Sequence, residues 1–457
     1  MSNLGFHSLF DRVSSFQGIR VARLFIEKNG QIYSPESHIP RKRTIFSAEV
    51  STRGFDALFF TVSFELDYIN ILRMFQISSI PLLVQERNTR GPVIVTGGIA
   101  PSANPHVLSV FSDVVFIGDM EGRIELILTA LFESDFRKTD SLYRSLEEIE
   151  GVYMNTGKGQ LPVKSVEMEI KKPSHSVILT NHTEFPNRFL IEIIRGCRNT
   201  CTFCMTRYTA GSVRPVSTER VLPHVKKALL YTDKVGLIGP VLTDHHELVS
   251  LVHEINALGG SVSFSSLRAD QFSDEVAMLL QRNKQKTVTF APETGEEGLR
   301  RRIGKTLSDD ELLDGVSRAL AHGIKKFRYY FMYGLPGETP QDALTIVSLV
   351  NATVELFTLP GCLLHLSINP FIPKRGTPLE KQRLHPLKYY MDVQRLLKEK
   401  LKDMRAVTLR FEPMKYIYVH SLLSIGDRET AFVLSRIIND HSLSDFARYA
   451  EELLTNG

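Results

Sequence analysis

Short apolar runs and stretches of helical period alternate along the chain. Phe55–Phe64 (FDALFFTVSF) is apolar and β-rich, which predicts a buried strand. Asp67–Ile80 places Ile69, Leu72, Phe75 and Ile80 on one side at helical spacing. Pro92–Thr96 (PVIVT) and Val114–Ile117 (VVFI) predict two more buried strands, ending in Gly97–Gly98 and Gly118. Strand, helix, strand, strand with glycines at the strand ends predicts a doubly wound, Rossmann-like α/β domain over residues 1–135.

Residues 136–186 are polar and mixed and read as a connector. A second alternating block opens at Asn187. Its candidate strands are Phe189–Ile194, Lys234–Ile238, Ser261–Ser265, Thr287–Phe290, Lys326–Met332 and Leu363–Ile368, with helical patterns between them. Six such units over residues 187–378 predict an incomplete (β/α)6 parallel barrel rather than an open sheet. Residues 379–457 read as a mostly helical extension with one strand at Ala406–Glu412.

With 457 residues and 43% hydrophobic content, the chain has enough apolar surface for two or three domains. The net charge of +4 is small for this length and does not mark a nucleic-acid binder. Two local clusters, Arg41-Lys42-Arg43 and Arg300-Arg301-Arg302, are the places where phosphate contact is conceivable, although such runs are more often solvated surface. No apolar run reaches the ~18–20 residues that span a bilayer. The stretch from Met1 to Phe25 lacks the apolar core of a secretory signal, and Asp11 argues against a transit peptide. Three of the four cysteines crowd into eight residues, which points to metal binding in a reducing compartment, hence the cytoplasm.

Those three are Cys197, Cys201 and Cys204, spaced C-x3-C-x2-C on a loop directly after an apolar strand. Thiolates are the usual ligands of Fe–S clusters, which normally take four. Cys362, the fourth cysteine, lies far along the chain at a Pro-Gly turn before a strand, where a small buried side chain is its simplest role. A cubane held by three thiolates keeps one iron open, where the amine and carboxylate of S-adenosylmethionine (SAM) can chelate. A structural zinc site completed by a histidine such as His182, and an electron-transfer cluster with a fourth ligand, are the competing readings.

C-x3-C-x-aromatic-C, with Phe203 as the aromatic, resembles the radical SAM signature. More narrowly, the chain resembles radical SAM proteins with an N-terminal B12-binding-like domain. The resemblance rests on Phe55–Leu72, Val95–Pro105 (VTGGIAPSANP), Phe116–Gly122 (FIGDMEG), Val235–His245, Phe264–Asp270 (FSSLRAD), Ala291–Lys305 (APETGEEGLRRRIGK), Tyr330–Thr339 (YFMYGLPGET), Ile368–Pro378 and Ser421–Arg428. It implies reductive cleavage of SAM at a [4Fe–4S] cluster, fed by an external flavodoxin- or ferredoxin-type electron donor.

It also implies where SAM lies. Gly236, Gly239 and Pro240 fall where the family uses backbone groups near the methionyl amine, although the usual Gly-Gly-Glu is absent. Ser265, Ser266 and Arg268 end one barrel strand; hydroxyls suit a ribose and the arginine fork suits a carboxylate. Glu293 ends the next strand. Tyr333, Gly334 and Leu335 fall where the family lays adenine on backbone atoms. Serines at strand ends and Gly-Leu-Pro-Gly are also ordinary turn formers.

For the first domain, the implied ligand is cobalamin. The cobalt-binding Asp-x-His-x-x-Gly is missing: Asp244-His245-His246 is the single D-x-H, lies in the barrel, and has Val249 where glycine is required. Gly97, Gly98 and Gly118 remain as points of close backbone approach. The domain thus holds cobalamin without a protein histidine, guides substrate, or is a relic that binds nothing. Methyl transfer is the outcome if cobalamin binds. A methylthiotransferase would carry a second cysteine set in its first domain, and residues 1–196 contain no cysteine. A non-catalytic Fe–S or zinc scaffold is the remaining alternative, and the substrate is not legible.

Overall fold

The computed structural model describes residues 3–26, 32–34, 55–154, 161–265, 267–439 and 443–456. The Arg41-Lys42-Arg43 cluster and Ser266 lie outside the described residues. The N-terminal unit comprises helix α1 (Leu4–Ser14), strand β1 (Ala57–Thr61), α2 (Asp67–Ile77), β2 (Val93–Gly97), α3 (Ile99–Ala103), β3 (Val114–Phe116), α4 (Ile124–Glu133), α5 (Asp140–Glu147) and β4 (Val152–Tyr153). The sheet runs β1-β2-β3-β4, parallel except for β4.

Helices cover both faces, as a doubly wound unit requires. Tyr68, Leu72 and Phe75 of α2 pack with Ile94 and Val115 on one side. Leu9 and Val13 of α1, with Ile127 and Leu131 of α4, pack with Val93, Val95 and Phe116 on the other. Phe75 and Leu72 are fully buried, each worth ~1.5–3 kcal/mol of apolar transfer. Asn3 starts α1 by accepting the Phe6 amide on Oδ1 at 3.1 Å.

The second block comprises β5 (Phe189–Glu192), α6 (Met205–Ala210), α7 (Thr218–Ala228), β6 (Lys234–Ile238), α8 (Leu248–Ala257), β7 (Ser261–Phe264), α9 (Asp274–Arg282), β8 (Thr287–Glu293), α10 (Glu297–Arg302), α11 (Asp309–Ala321), β9 (Lys326–Tyr333), α12 (Pro340–Glu355), β10 (Leu363–Pro370), α13 (Leu387–Leu401) and β11 (Val407–Phe411). The strands form two parallel arcs, β7-β6-β5 and β8-β9-β10-β11. Among the described residues no ladder joins β7 to β8. Side-chain amides span the gap instead: Asn283 Oδ1 accepts from Val262 N at 2.6 Å, Gln285 Oε1 accepts from Phe264 N at 2.9 Å, and Gln285 Nε2 donates to Thr287 O at 3.1 Å.

The barrel is therefore open and carries seven strands. The seventh, β11, is the strand expected at Ala406–Glu412 within the extension; it joins the barrel by pairing Leu364–Ile368 with Val407–Phe411 in register. The first expected strand is also shorter. Ile194–Arg195 leaves the sheet and pairs antiparallel with Arg214–Pro215, a ribbon that carries the chain into the cysteine loop.

Helices α14 (Ile417–Ile425), α15 (Arg428–Asn439) and α16 (Leu443–Asn456) close the chain against the N-terminal unit. Buried Glu65, just before α2, joins them: Lys374 Nζ lies 2.8 Å from both its oxygens, His420 Nε2 3.0 Å from Oε2, and Ser424 Oγ donates to Oε1 at 3.1 Å. Among the described residues no helix is long and apolar enough to cross a membrane.

Candidate cluster and SAM site

The cysteine loop sits at the C-terminal end of β5, where parallel barrels present their functional groups. Backbone contacts fix it on three sides. Cys197 N donates to Gly211 O at 3.2 Å, Thr202 N donates to Ile303 O at 2.9 Å, and Thr202 O accepts from Leu379 N at 3.3 Å. Two glycines permit this approach. Gly196 has φ +76°, and a β-carbon there would lie 2.0 Å from Ser212 O; Gly304 has φ +75°, and its β-carbon would lie 2.6 Å from Thr200 O.

All three cysteines are free thiols, Cys201 buried and the others half-buried. Asn199 Nδ2 approaches Cys197 Sγ at 3.4 Å, and Cys201 Sγ faces Gly304 O at 3.7 Å. Burial pushes the Cys201 thiol up to about 11; Lys305 pulls it down, while Glu293, Cys204 and Cys197 push it further up. Cys201 therefore lies within electrostatic reach of the other two thiols and of the Glu293–Lys305 pair. Among the described residues no three His, Cys, Asp or Glu side chains, His182 included, converge tightly enough to hold a single metal ion.

The structure sorts the other sequence candidates. Glu293 has φ +71°, and it is the one described non-glycine residue in a strand with positive φ. Its carboxylate pairs with Lys305 Nζ at 3.3 Å and is raised by burial, partly offset by Lys305. A non-glycine residue held in this region is strained, and such strain concentrates at functional sites. Arg268 chelates Asp270 (Nε to Oδ1 2.8 Å) and donates to Asn199 Oδ1, which brings it against the cluster loop. Phe203 packs with Leu299, Ile303, Leu335 and Phe371. Ser265 is exposed and donates to Gly239 O at 3.3 Å.

The remaining candidates have packing partners of their own. Gly236 is small because Leu190 and the stem of Arg188 occupy the space its side chain would take. Gly239 faces Ile194 in the same way. The Tyr333 ring points outward, its hydroxyl accepting from Gln394 at 2.8 Å, so only its backbone stands on the barrel's mouth. The amides of Gly334 and Leu335 are both taken by Glu338 Oε2, which also accepts from Tyr389 at 3.0 Å. Arg300, expected on a solvated face, is fully buried, bonding Leu307 O at 2.9 Å and Asp309. His245 spends both ring nitrogens on Val216 O at 2.8 Å and Glu247 N at 3.1 Å.

Glu338, Lys305, Asp244 and Arg195 escaped the sequence reading. Asp244 pairs with Arg198 of the cluster loop at 2.5 Å. Arg195 holds Glu192 (2.6 Å), Asp119 (3.0 Å) and Glu121 (2.8 Å) at once, and Arg214 also binds Asp119. An acid four residues after Gly334 was a readable turn signal; the other partners are distant in sequence and had none.

A cavity of about 440 Å3 lies between the N-terminal unit and the barrel. Gly97, Gly98 and Gly118 line it from one side, and Gly196, Thr206, Gly239 and Pro240 from the other. Phe59, Phe60 and Phe116 make its walls largely apolar. Gly98 and Gly118 are required by the chain's own packing: β-carbons there would lie 2.4 Å from Val62 O and 2.0 Å from Ser165 O.

A family model for the radical SAM superfamily matches residues 191–350, and one for the N-terminal region of radical SAM proteins matches residues 5–154. The chain belongs to the radical SAM superfamily. An uncharacterised protein of Methanocaldococcus jannaschii is 26% identical over 447 residues, covering 97% of this chain and 89% of that protein. The tRNA-2-methylthio-N(6)-dimethylallyladenosine synthase of Fusobacterium nucleatum is 25% identical over 236 residues; the match spans 46% of this chain and about half (54%) of that enzyme. Among solved structures, the radical SAM methyltransferase TsrM of Kitasatospora setae, with tryptophan and a SAM analogue bound, superposes with a TM-score of 0.52 at 16% identity, covering 73% of this chain and 67% of that one. Its form with cobalamin and a [4Fe–4S] cluster gives 0.51. This likeness establishes the shared architecture.

Membership implies a [4Fe–4S] cluster and SAM, and the residues present fit both: three thiols on one loop, with a buried carboxylate, a lysine and an arginine beside it. Cobalamin, bound by the TsrM neighbour, fits less fully. The cavity stands over the N-terminal strand ends, but no histidine lines it among the described residues.

Proposed function

We propose that this chain is an enzyme that cleaves SAM reductively and turns the resulting radical on a carbon–hydrogen bond of a substrate held between the barrel and the N-terminal unit. The observation that carries the reading is the gathering of Cys197, Cys201 and Cys204 on one loop, beside the strained Glu293 and its partner Lys305. Cys197, Cys201 and Cys204 would hold a [4Fe–4S] cluster, which would supply one-electron reduction of SAM, with the electron drawn from an external flavodoxin- or ferredoxin-type donor and methionine and a 5′-deoxyadenosyl radical as the products.

The protein's own work is placement and exclusion of water. Gly196, Gly304 and Asn199 set the loop. Glu293 and Lys305 offer a paired acceptor and donor to the ribose or amine of SAM, and Arg268 offers a fork to its carboxylate. Glu338 fixes the Gly334–Leu335 backbone on which adenine would rest. Phe203 seals the space beneath. The fold shared with TsrM, which binds cobalamin, supports methyl transfer as the outcome when cobalamin is bound, with no histidine of the cavity lining, among the described residues, offered to the cobalt. The absence of cysteine from residues 1–196 weighs against methylthio transfer.

The test is anaerobic reconstitution with iron and sulfide, then SAM and dithionite, with and without cobalamin, read by mass spectrometry. Formation of 5′-deoxyadenosine that is lost in Cys201→Ala supports the reading. S-adenosylhomocysteine that appears only with cobalamin supports methyl transfer. A complete cluster that never cleaves SAM sinks the proposal in favour of a scaffold or electron-transfer role.

A further inference from the structure

In a closed eight-stranded barrel, inward side chains fill the interior. This barrel is open, and its inward positions are polar. Along β9 the buried residues face the outer helices: Tyr329 bonds Thr353 of α12 at 3.1 Å, and Phe327 stacks on Phe357 with centroids 5.6 Å apart. Strand alternation then turns Arg328 and Tyr330 into the interior, where both are exposed.

The ladder register continues this pattern across the arc. Arg328 pairs with His365, and His365 with Thr408, in one row; Tyr330 pairs with Ser367, and Ser367 with Arg410, in the next. Arg328 and Arg410 thus lie two strands apart and two residues offset, about 12 Å between Cα atoms by standard spacings. Two extended arginine side chains converge across that distance. Their closeness shows at His365, which lies between them and is held below its usual range by burial and then by both guanidiniums. Thr408 Oγ1 and His365 Nδ1 are 2.7 Å apart. Neither arginine makes an ion pair or hydrogen bond with a carboxylate among the described residues. Glu412 follows directly after the end of β11.

Two guanidiniums, a neutral imidazole and two hydroxyls on neighbouring rows of one face of the open arc form a receptor for an oxyanion, because the planar fork matches its geometry and charge. We propose that the open barrel interior seats an oxyanion group of the substrate, a phosphate or a carboxylate, between Arg328 and Arg410, with Tyr330 against a flat part of the same molecule. This inference rests on the reading of the barrel as the seat of SAM chemistry.

The probes are inorganic phosphate, pyrophosphate and citrate, titrated calorimetrically into the reconstituted full chain with saturating SAM at constant ionic strength, with chloride as control. Saturable binding is expected, weakened about 10-fold or more in Arg328→Gln/Arg410→Gln, by an intermediate amount in the double lysine variant, and not at all in Arg301→Gln on outer helix α10. Circular dichroism and iron content verify that each variant is folded and loaded. Tighter pyrophosphate or phosphate identifies a phosphoryl group and tighter citrate a carboxylate; either supports the site. Anions that bind no better than chloride, or equally well to the double glutamine variant, overturn it. Anion binding in a protein that makes no 5′-deoxyadenosine would sink the proposed function and leave this site standing.

Discussion

Glu65→Gln tests the joint between the N-terminal unit and the C-terminal helices. Glu65 is 1% exposed and meets Lys374, His420 and Ser424 at once. Burial alone would raise its carboxyl, yet His420 and Lys374 bring it down from 4.5 to about 2. That difference corresponds to ~3 kcal/mol at ~1.36 kcal/mol per unit. The same burial pushes Lys374 down, with Glu65 only partly opposing it. The network as a whole therefore contributes less than Glu65's shift suggests. The single substitution still exacts nearly the full amount, because it strands a buried ammonium against His420.

The readout is hydrogen exchange of helix α14, Ile417–Ile425, whose opening requires this joint to part. At pH 7, exchange in the variant is expected to be ~100-fold faster, which is ~3 kcal/mol at tenfold per ~1.4 kcal/mol. The sign with pH is fixed. A carboxylate depressed on folding contributes fully above its unfolded value near 4.5 and loses that contribution as pH falls toward 2. The gap between wild type and variant must therefore shrink below pH 4.5. Exchange within threefold of wild type at pH 7, or a gap that persists in acid, would refute the reasoning.

Three further outcomes are expected. Gly304→Ala drives a β-carbon to 2.6 Å from Thr200 O at φ +75°, so the reconstituted protein should lose most of its iron by colorimetric assay; full iron loading would mean that the loop yields easily. Glu293→Gln keeps the shape but removes the charge paired with Lys305, and SAM affinity by calorimetry should fall ~10-fold or more with cluster absorbance retained. Glu338 is pushed up to about 7 by burial, so its neutral form adds stability that is complete below pH 4.5 and lost as pH rises through 7. The melting temperature of Glu338→Gln should therefore gain on wild type between pH 5 and 8, and a pH-independent difference would contradict this.

The strands were legible because each is a short apolar run bounded by turn residues: Lys234–Ile238 is a strand over just those residues. β11 was legible as a strand but not as a barrel strand, because Val407, Leu409 and Phe411 alternate with exposed Thr408 and Arg410, a pattern that marks a strand but does not name its neighbour. The cluster loop was legible because its three thiols are local in sequence. Its supports were not: Lys305 lies 12 residues from Glu293, and Asp119 lies 76 from Arg195. The glycines of the N-terminal unit mark close approach in the chain's own packing, Gly98 to Val62 and Gly118 to Ser165, and they also line the cavity; a sequence cannot tell which backbone arrives.

What joins these features is Arg195. It immediately precedes Gly196 and Cys197, and it is also the residue on which Asp119 and Glu121 of the N-terminal unit converge. It is 13% exposed, and every carboxylate it binds is similarly enclosed. Parting the two units would strip Asp119 and Glu121 of that cation while Glu192 keeps it, at the cost of breaking a buried network. The wall of the 440 Å3 cavity and the backbone leading into the cluster loop are thus one piece, so the N-terminal unit is as much a part of the cluster site as the barrel strand that carries the cysteines.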